Sequence, residues 1–141
     1  MRLDRRRFVS CVVCTAMGYV ATAGEAGAQA APPAGSGISR AVLDKTPFPG
    51  DAYMTLLVTA DLEPGAIIAR HTHPGVESVY LVSGGGVVRL EGRPERAMTA
   101  GEGLIIPAGL PHLFENGADK TRIAITYVVE KDKPLVSPAP L

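Results

Sequence analysis

The chain has 141 residues, which is about the length of one domain. Apolar residues make up 46% of it and charged residues 20%, so a wholly disordered chain is excluded. Lys plus Arg and Asp plus Glu both total 14, so there is no net positive field to hold nucleic acid. The 16 glycines and 12 prolines favour a domain with many tight turns, and an aromatic content of 5% disfavours stacking on single-stranded nucleic acid.

The first 28 residues have the pattern of a bacterial export signal. Four arginines precede an apolar run of about sixteen residues, shorter than the roughly 20 that span a bilayer. Arg5-Arg6-Arg7-Phe8 resembles the twin-arginine signal, and Ala26-Gly27-Ala28 fits the site that signal peptidase cleaves. An uncleaved membrane anchor is the alternative. We expect a periplasmic protein that is exported through the twin-arginine pathway, cleaved near Ala28 and not stably bound to membrane afterwards.

The chain after residue 28 is predicted to hold one β domain. Residues 29–37 have the composition of a flexible linker, and residues 132–141, with three prolines, predict an extended and poorly ordered tail. Between them, residues 38–131 contain short β-like runs separated by Gly, Pro and Asn turns, with no helical period over eleven or more residues. The runs are 38–43, 53–61, 66–73, 78–82, 87–91, 96–99, 104–106, 112–115 and 122–130. This spacing predicts an antiparallel sandwich or barrel, in which we interpret Gly84-Gly85-Gly86 as a hairpin turn.

The three histidines have the most informative spacing in the chain. His71 and His73 stand two apart in a predicted strand, so their imidazoles share a face and can chelate one ion. Glu77 follows a Pro-Gly turn, and His112 would reach the others only in a fold that closes on itself. Such a nitrogen and oxygen set suits Fe, Mn, Ni, Co, Cu or Zn. Both cysteines lie in the export signal, which argues against a structural zinc site.

Two motifs in the same region resemble those of the cupin superfamily. The first is Gly65-x5-His71-x-His73-x3-Glu77-x6-Gly84, and the second is Gly101-x5-Pro107-x-Gly109-x2-His112-x3-Asn116. The resemblance covers residues 38–131 and implies a small single-domain cupin, an all-β double-stranded β-helix or jelly-roll barrel. It further implies one divalent metal ion held by His71, His73, Glu77 and His112. It also implies a hairpin at Asn116 and Gly117, and a homodimer formed through the strand at residues 38–43.

Strand alternation predicts which side chains share the pocket with these ligands. Counting by two from the histidines and Glu77 selects an apolar set: Ile67, Ala69, Val79, Leu81 and Phe114. Such a wall around a polar focus is typical of small-molecule sites, although these residues would also suit the barrel core. The same count turns Arg70 and Thr72 away. A further alternating face, Ile123, Ile125, Tyr127 and Val129, is interpreted as packing.

The residues therefore predict a metal-binding protein that acts on a small organic molecule. The first hypothesis is an oxygenase with chemistry like that of quercetin dioxygenase, in which Glu77 ligates the metal or serves as the base. A metal-dependent isomerase, cyclase or lyase is the near alternative. A non-catalytic periplasmic barrel that binds a small ligand, or one that the metal merely stabilises, remains the alternative from another class.

Overall fold

The computed structural model describes residues 37–141, and these residues form strands connected by turns. The strands are β1 Ile38–Pro47, β2 Tyr53–Leu62, β3 Ile67–Thr72, β4 Gly75–Ser83, β5 Gly85–Leu90, β6 Arg96–Thr99, β7 Gly103–Ile106, β8 His112–Asn116, β9 Thr121–Glu130 and β10 Ser137–Pro138. The predicted export signal, and the predicted linker apart from Gly37, lie outside the described residues. The described part contains no helix long and apolar enough to cross a membrane.

Two five-stranded antiparallel sheets enclose the core. One has the strand order β1-β2-β9-β4-β7 and the other the order β10-β3-β8-β5-β6. Strand β9 shows why the sequence folds this way, because every second residue along its whole length is buried and those between are partly or fully exposed. Buried residues of both sheets, such as Leu56 and Ile123 from one and Met98 and Phe114 from the other, belong to a single cluster. The predicted all-β fold is confirmed.

The chain passes from one sheet to the other at places where the sequence suggested hairpins. Strands β4 and β5 lie in different sheets, and Gly84 alone separates them. Gly84 has a φ of +75°, a conformation that favours glycine. A Cβ at this position would lie only 2.2 Å from the hydroxyl oxygen of Thr121, so a larger residue would also clash. Strands β8 and β9, on either side of Asn116 and Gly117, also belong to different sheets. Both hairpin interpretations are therefore wrong, since turn composition does not specify which strands pair.

Asn116 has a different role from the predicted one. Its buried side-chain amide donates hydrogen bonds to the carbonyls of Leu62, Glu63 and Asp119 at 3.3, 2.7 and 3.0 Å. It thus joins the end of β8 to the turn between β2 and β3 and to the turn before β9. This fixes the chain where it leaves the strand that begins with His112.

The C-terminal segment is more ordered than predicted. Residues 137 and 138 pair with β3, and the Leu135 side chain is only 3% exposed, within the hydrophobic core. The prediction of a poorly ordered tail was wrong because it rested on proline content. Pro138 is compatible with the edge of a sheet, where its missing N–H is tolerated, and the core accepts Leu135.

Candidate metal centre

Strands β3, β4 and β8 and the turn after β3 bring the four predicted ligands together between the two sheets. His71 is near the end of β3, Glu77 lies in β4, His112 begins β8, and His73 follows β3. His71 and His112 are paired across the two strands of one sheet. Glu77 is contributed by the opposite sheet. One ligand atom from each residue lies within 4.8 Å of those of the others, and all four residues are buried.

Each imidazole is oriented by a backbone carbonyl. The Nδ1 atoms of His71, His73 and His112 lie 2.7, 2.6 and 2.8 Å from the carbonyl oxygens of Ala69, Leu135 and Leu110. Since a carbonyl oxygen only accepts, each Nδ1 carries the proton and donates it. In the neutral imidazoles every Nε2 then presents a lone pair.

Those Nε2 atoms converge on one another and on the Glu77 carboxylate. The Nε2 atoms of His71 and His73 are 3.0 Å apart. The Oε2 atom of Glu77 lies 3.0 Å from Nε2 of His73 and 3.1 Å from Nε2 of His112. Despite this proximity, Glu77 Oε2 and His112 Nε2 are buried without a hydrogen bond of acceptable geometry to any described residue. Buried acceptors that face one another need a proton or a metal cation between them.

This donor set fits a divalent metal ion. Two ligand atoms that each lie about 2.1 Å from one ion, at right angles to each other, are about 3.0 Å apart. The three separations of 3.0, 3.0 and 3.1 Å are close to this value. Three imidazoles and a carboxylate are ligands that borderline divalent ions accept. The site residues present are therefore the right kind and closely enough spaced to hold such an ion.

The electrostatics favour the metal-binding forms of Glu77 and His71. Burial alone would raise the pKa of Glu77, but the imidazoles of His112 and His73 outweigh it and lower that pKa to about 2. Burial lowers the pKa of His71 to about 4, and the neighbouring His112 acts in the same direction. Near neutral pH Glu77 is therefore ionised and His71 is neutral.

The predicted pocket wall needs correction on β3. Ile67 is 55% exposed and Ala69 is also exposed, so neither lines the interior. Four residues of β3, from Ile68 to His71, oppose three residues of β8, from Phe114 to His112. This β-bulge shifts the alternation by one residue, so Ile68 lies on the same side as His71. Ala69 still contributes its carbonyl to His71.

The cavity beside the ligands is small and mostly apolar. Its volume is about 40 Å³, and Val79, Phe114 and Ile68 line it together with His71, Glu77 and His112. Val79 and Phe114, predicted from the sequence as pocket residues, are both part of this lining. Leu81 is fully buried in the core and is not among the residues that line the cavity. Ile123 and Ile125, interpreted from sequence as packing, belong to both the core and the lining.

Tyr127 is a neighbour of the site that the sequence interpretation assigned only to packing. It lies opposite Glu77 in the register of β9 and β4, and its ring centroid is 4.8 Å from that of His73. Burial raises its pKa well above the ordinary value, and the charge of Glu77 adds to the effect, so the phenol keeps its proton. The phenol and the Glu77 carboxylate thus influence each other electrostatically across these two strands. Its position in an apolar alternating face hid this role.

Arg40 is a second neighbour that the sequence did not single out. Its Nη1 atom is buried and has no hydrogen-bond partner among residues 37–141. Burial lowers the pKa of the guanidinium, whereas Tyr127 and Glu77 raise it. Arg40 therefore brings a positive charge from β1 towards the Glu77 side of the site. A single arginine in an edge strand gives no sequence signal for such a contact.

Replacing Tyr127 with phenylalanine should leave the fold intact and weaken metal binding. The change removes the hydroxyl that interacts with Glu77 while keeping the ring beside His73, and loss of such a supporting partner costs about tenfold in metal affinity. Calorimetric titration with Zn²⁺ or Ni²⁺ measures the change. Tyr80→Phe is the matched control, since Tyr80 is 51% exposed. Equal affinities for the two variants would contradict the role given to the phenol.

Comparison with known proteins identifies the family. The cupin domain family matches residues 58–129, which is just over half of the chain and includes all four clustered side chains. The chain belongs to the cupin family. This cupin is 36% identical over 83 residues to the auxin-binding protein ABP19b of Prunus persica, a match that covers 55% of the chain. The chain spans only 40% of the length of that relative.

Two solved structures show the same fold as this cupin. A Klebsiella pneumoniae protein with a double-stranded β-helix domain has a TM-score of 0.60 and 21% identity, covering 78% of this chain and 90% of its own. The polyketide cyclase RemF of Streptomyces resistomycificus also has a TM-score of 0.60, with 24% identity over 75% of this chain and 73% of its own. The predicted double-stranded β-helix is thereby confirmed.

Proposed function

We propose that this cupin is a metal-dependent enzyme that acts on a small organic substrate, with dioxygenase-like chemistry as the first candidate. The observation that carries the proposal is the convergence of three Nε2 lone pairs and one carboxylate oxygen within about 3 Å of their neighbours, with each Nδ1 committed to a carbonyl. When bound, a divalent ion supplies Lewis acidity and a template for an oxygen of the substrate.

The chain's own residues would then bind and orient the substrate. Val79, Phe114 and Ile68 offer apolar contacts next to the ligands, so a substrate would place its polar oxygen towards the histidines. Glu77 is ionised and can ligate the ion, and with its low pKa it would act as a base only towards a proton that metal binding has made acidic. The cavity of about 40 Å³ is far below the roughly 300–1,000 Å³ of ligand pockets. Its lining must therefore move to admit anything larger than a few water-sized molecules.

A metal-dependent isomerase, cyclase or lyase is the second candidate. It would use the same carboxylate as a base, without consuming dioxygen. The name of RemF, a polyketide cyclase on the same fold, supports keeping this candidate. A small-ligand-binding barrel without catalysis is the third, and the name of the auxin-binding relative supports it.

An oxygen-uptake screen separates these candidates. The metal-loaded protein is incubated with enolisable substrates under air and under nitrogen, beside Glu77→Gln and the surface variant Tyr80→Phe. We expect oxygen consumption that Glu77→Gln lowers at least about a hundredfold, because the amide is a poorer metal ligand than the carboxylate and cannot act as a base. Turnover that persists under nitrogen would favour the isomerase, cyclase or lyase. Ligand binding without turnover in either atmosphere would contradict the enzyme proposal.

Export and assembly belong to the same proposal. The signal-like residues 1–28 support a periplasmic location and cleavage near Ala28. Strand β1 lies at one edge of its sheet and exposes Val42 and Leu43, which supports a homodimer formed along this strand. The molecule that this protein acts on or binds would be a small organic compound and not a nucleic acid.

A further inference from the structure

The three imidazoles obtain their orienting carbonyls from very different distances along the chain. His71 and His112 each donate to the carbonyl of the residue two positions earlier. His73 donates to Leu135, which is 62 residues later in the sequence. The first two carbonyls come from the same local segment as the histidine they orient. The third is present only when the C-terminal segment is docked.

The C-terminal segment is held in place by several independent contacts. The Leu135 side chain lies in the core, and Val136 packs against the core. Ser137 and Pro138 pair with Thr72 and His71 of β3. This docking therefore also adds a strand beside the segment that carries His71.

Arg70 fastens the last part of the segment. Its Nη1 donates hydrogen bonds to the carbonyls of Ala139 and Pro140 at 3.1 and 2.6 Å, and its Nη2 pairs with Glu91. The amide of Ala139 donates in return to the Arg70 carbonyl at 3.2 Å. The segment is thus held by contacts at residues 70–73, the stretch of chain that carries His71 and His73.

We propose that residues 135–138 form a strap that positions His73 for metal binding, so that docking of the strap and occupation of the site favour each other. Without the Leu135 carbonyl, Nδ1 of His73 loses its fixed acceptor, and the ring is free to exchange tautomers and rotate its Nε2 away. The inference rests on the proposed metal site, because His73 matters here as one of its ligands. Coupling of this kind is reciprocal by thermodynamic necessity.

Two truncated chains test the strap. A chain ending at Pro134 lacks the Leu135 carbonyl and all later contacts. A chain ending at Pro138 keeps Leu135 and β10 and loses only the residues that Arg70 holds, so it is the matched control. We expect the shorter chain to bind Co²⁺ at least about tenfold more weakly than the full chain, the range for loss of a partner that orients a ligand. The control should stay within about threefold, as it keeps that partner.

A readout of His73 itself separates positioning from general destabilisation. Long-range ¹H–¹⁵N spectra of the metal-free chains at mildly alkaline pH report the tautomer of each histidine. We expect the Nδ1–H form at His73 in the full chain and in the control, and a mixture of tautomers in the chain ending at Pro134. His71 and His112 should keep the Nδ1–H form in all three chains. If His73 kept the Nδ1–H form in the chain ending at Pro134, the inference would be overturned. This result would count even if none of the three chains bound metal.

Amide exchange on the full chain decides the matter if the chain ending at Pro134 does not fold. Saturating Co²⁺ should slow exchange of the Ala139 amide more than that of the Val88 amide, which lies in β5 away from the strap. Equal protection at the two positions would overturn the strap. Failure of Co²⁺ to bind the full chain at all would instead contradict the proposed function, while the tautomer comparison would still test the strap.

Discussion

Replacement of His112 by alanine is expected to lower the affinity for divalent metal at least about a hundredfold. Loss of a residue that only orients a ligand lowers metal affinity about 10- to 100-fold. The His112→Ala change removes a ligand atom itself, so its effect should be at least as large. It also removes the nearest partner of Glu77 Oε2 on β8, which lies 3.1 Å from His112 Nε2. Titration with Co²⁺, Ni²⁺ and Zn²⁺ measures the effect.

The metal-free variant should nevertheless fold at mildly acidic pH, because the loss of a group that keeps the pKa of Glu77 low is opposed by a gain at His71. The charge of His112 is one of the effects that lower the pKa of His71, so its removal relieves repulsion when His71 takes up a proton. Val82→Ala, at an exposed position of β4, is the control for affinity. Loss of metal binding together with loss of the fold would contradict a site-specific role for His112.

The second large effect is a loss of stability of the metal-free protein as pH falls from about 6.5 to about 4. Burial, aided by His112, lowers the pKa of His71 to about 4 in the folded protein, while the unfolded chain keeps the ordinary value near 6.5. Between these values the unfolded chain binds the proton and the folded one does not, so acid favours unfolding. A difference of this size is worth about 3 kcal/mol at most.

Urea unfolding across this pH range measures the effect. We expect His71→Asn to flatten the slope between pH 4 and 6.5. A further loss below pH 4.5 should persist in that variant, because Glu77 has a folded pKa of about 2 and its stabilising contribution disappears as it is protonated. The same slope in His71→Asn as in the parent would contradict the assignment to His71.

The fold class and the ligand cluster were the features most accessible from sequence. Polar residues at fixed separations, with turn glycines on either side, singled out His71, His73, Glu77 and His112, and the structure brings their ligand atoms together. The alternation of β9 likewise predicted an inner and an outer face, as observed. Both features could be predicted from the sequence because each depends on residue spacing within a single strand or motif.

The errors arose where the outcome depends on contacts between distant segments. Strand parity placed Ile67 and Ala69 in the pocket, but the bulge in β3 is set by its pairing with β8 and has no local signature. Proline content concealed the docking of Leu135, which depends on space left in the core. Tyr127 was assigned to packing because alternation gives its face but not its partner across the sheet.

The metal content of the purified protein, measured by elemental mass spectrometry beside His112→Ala, tests the central claim most directly. The account predicts about one Fe, Mn, Ni, Co, Cu or Zn ion per chain, and its loss from the variant. A well-folded protein that contains none of these ions, and takes up none when each is supplied, would contradict it.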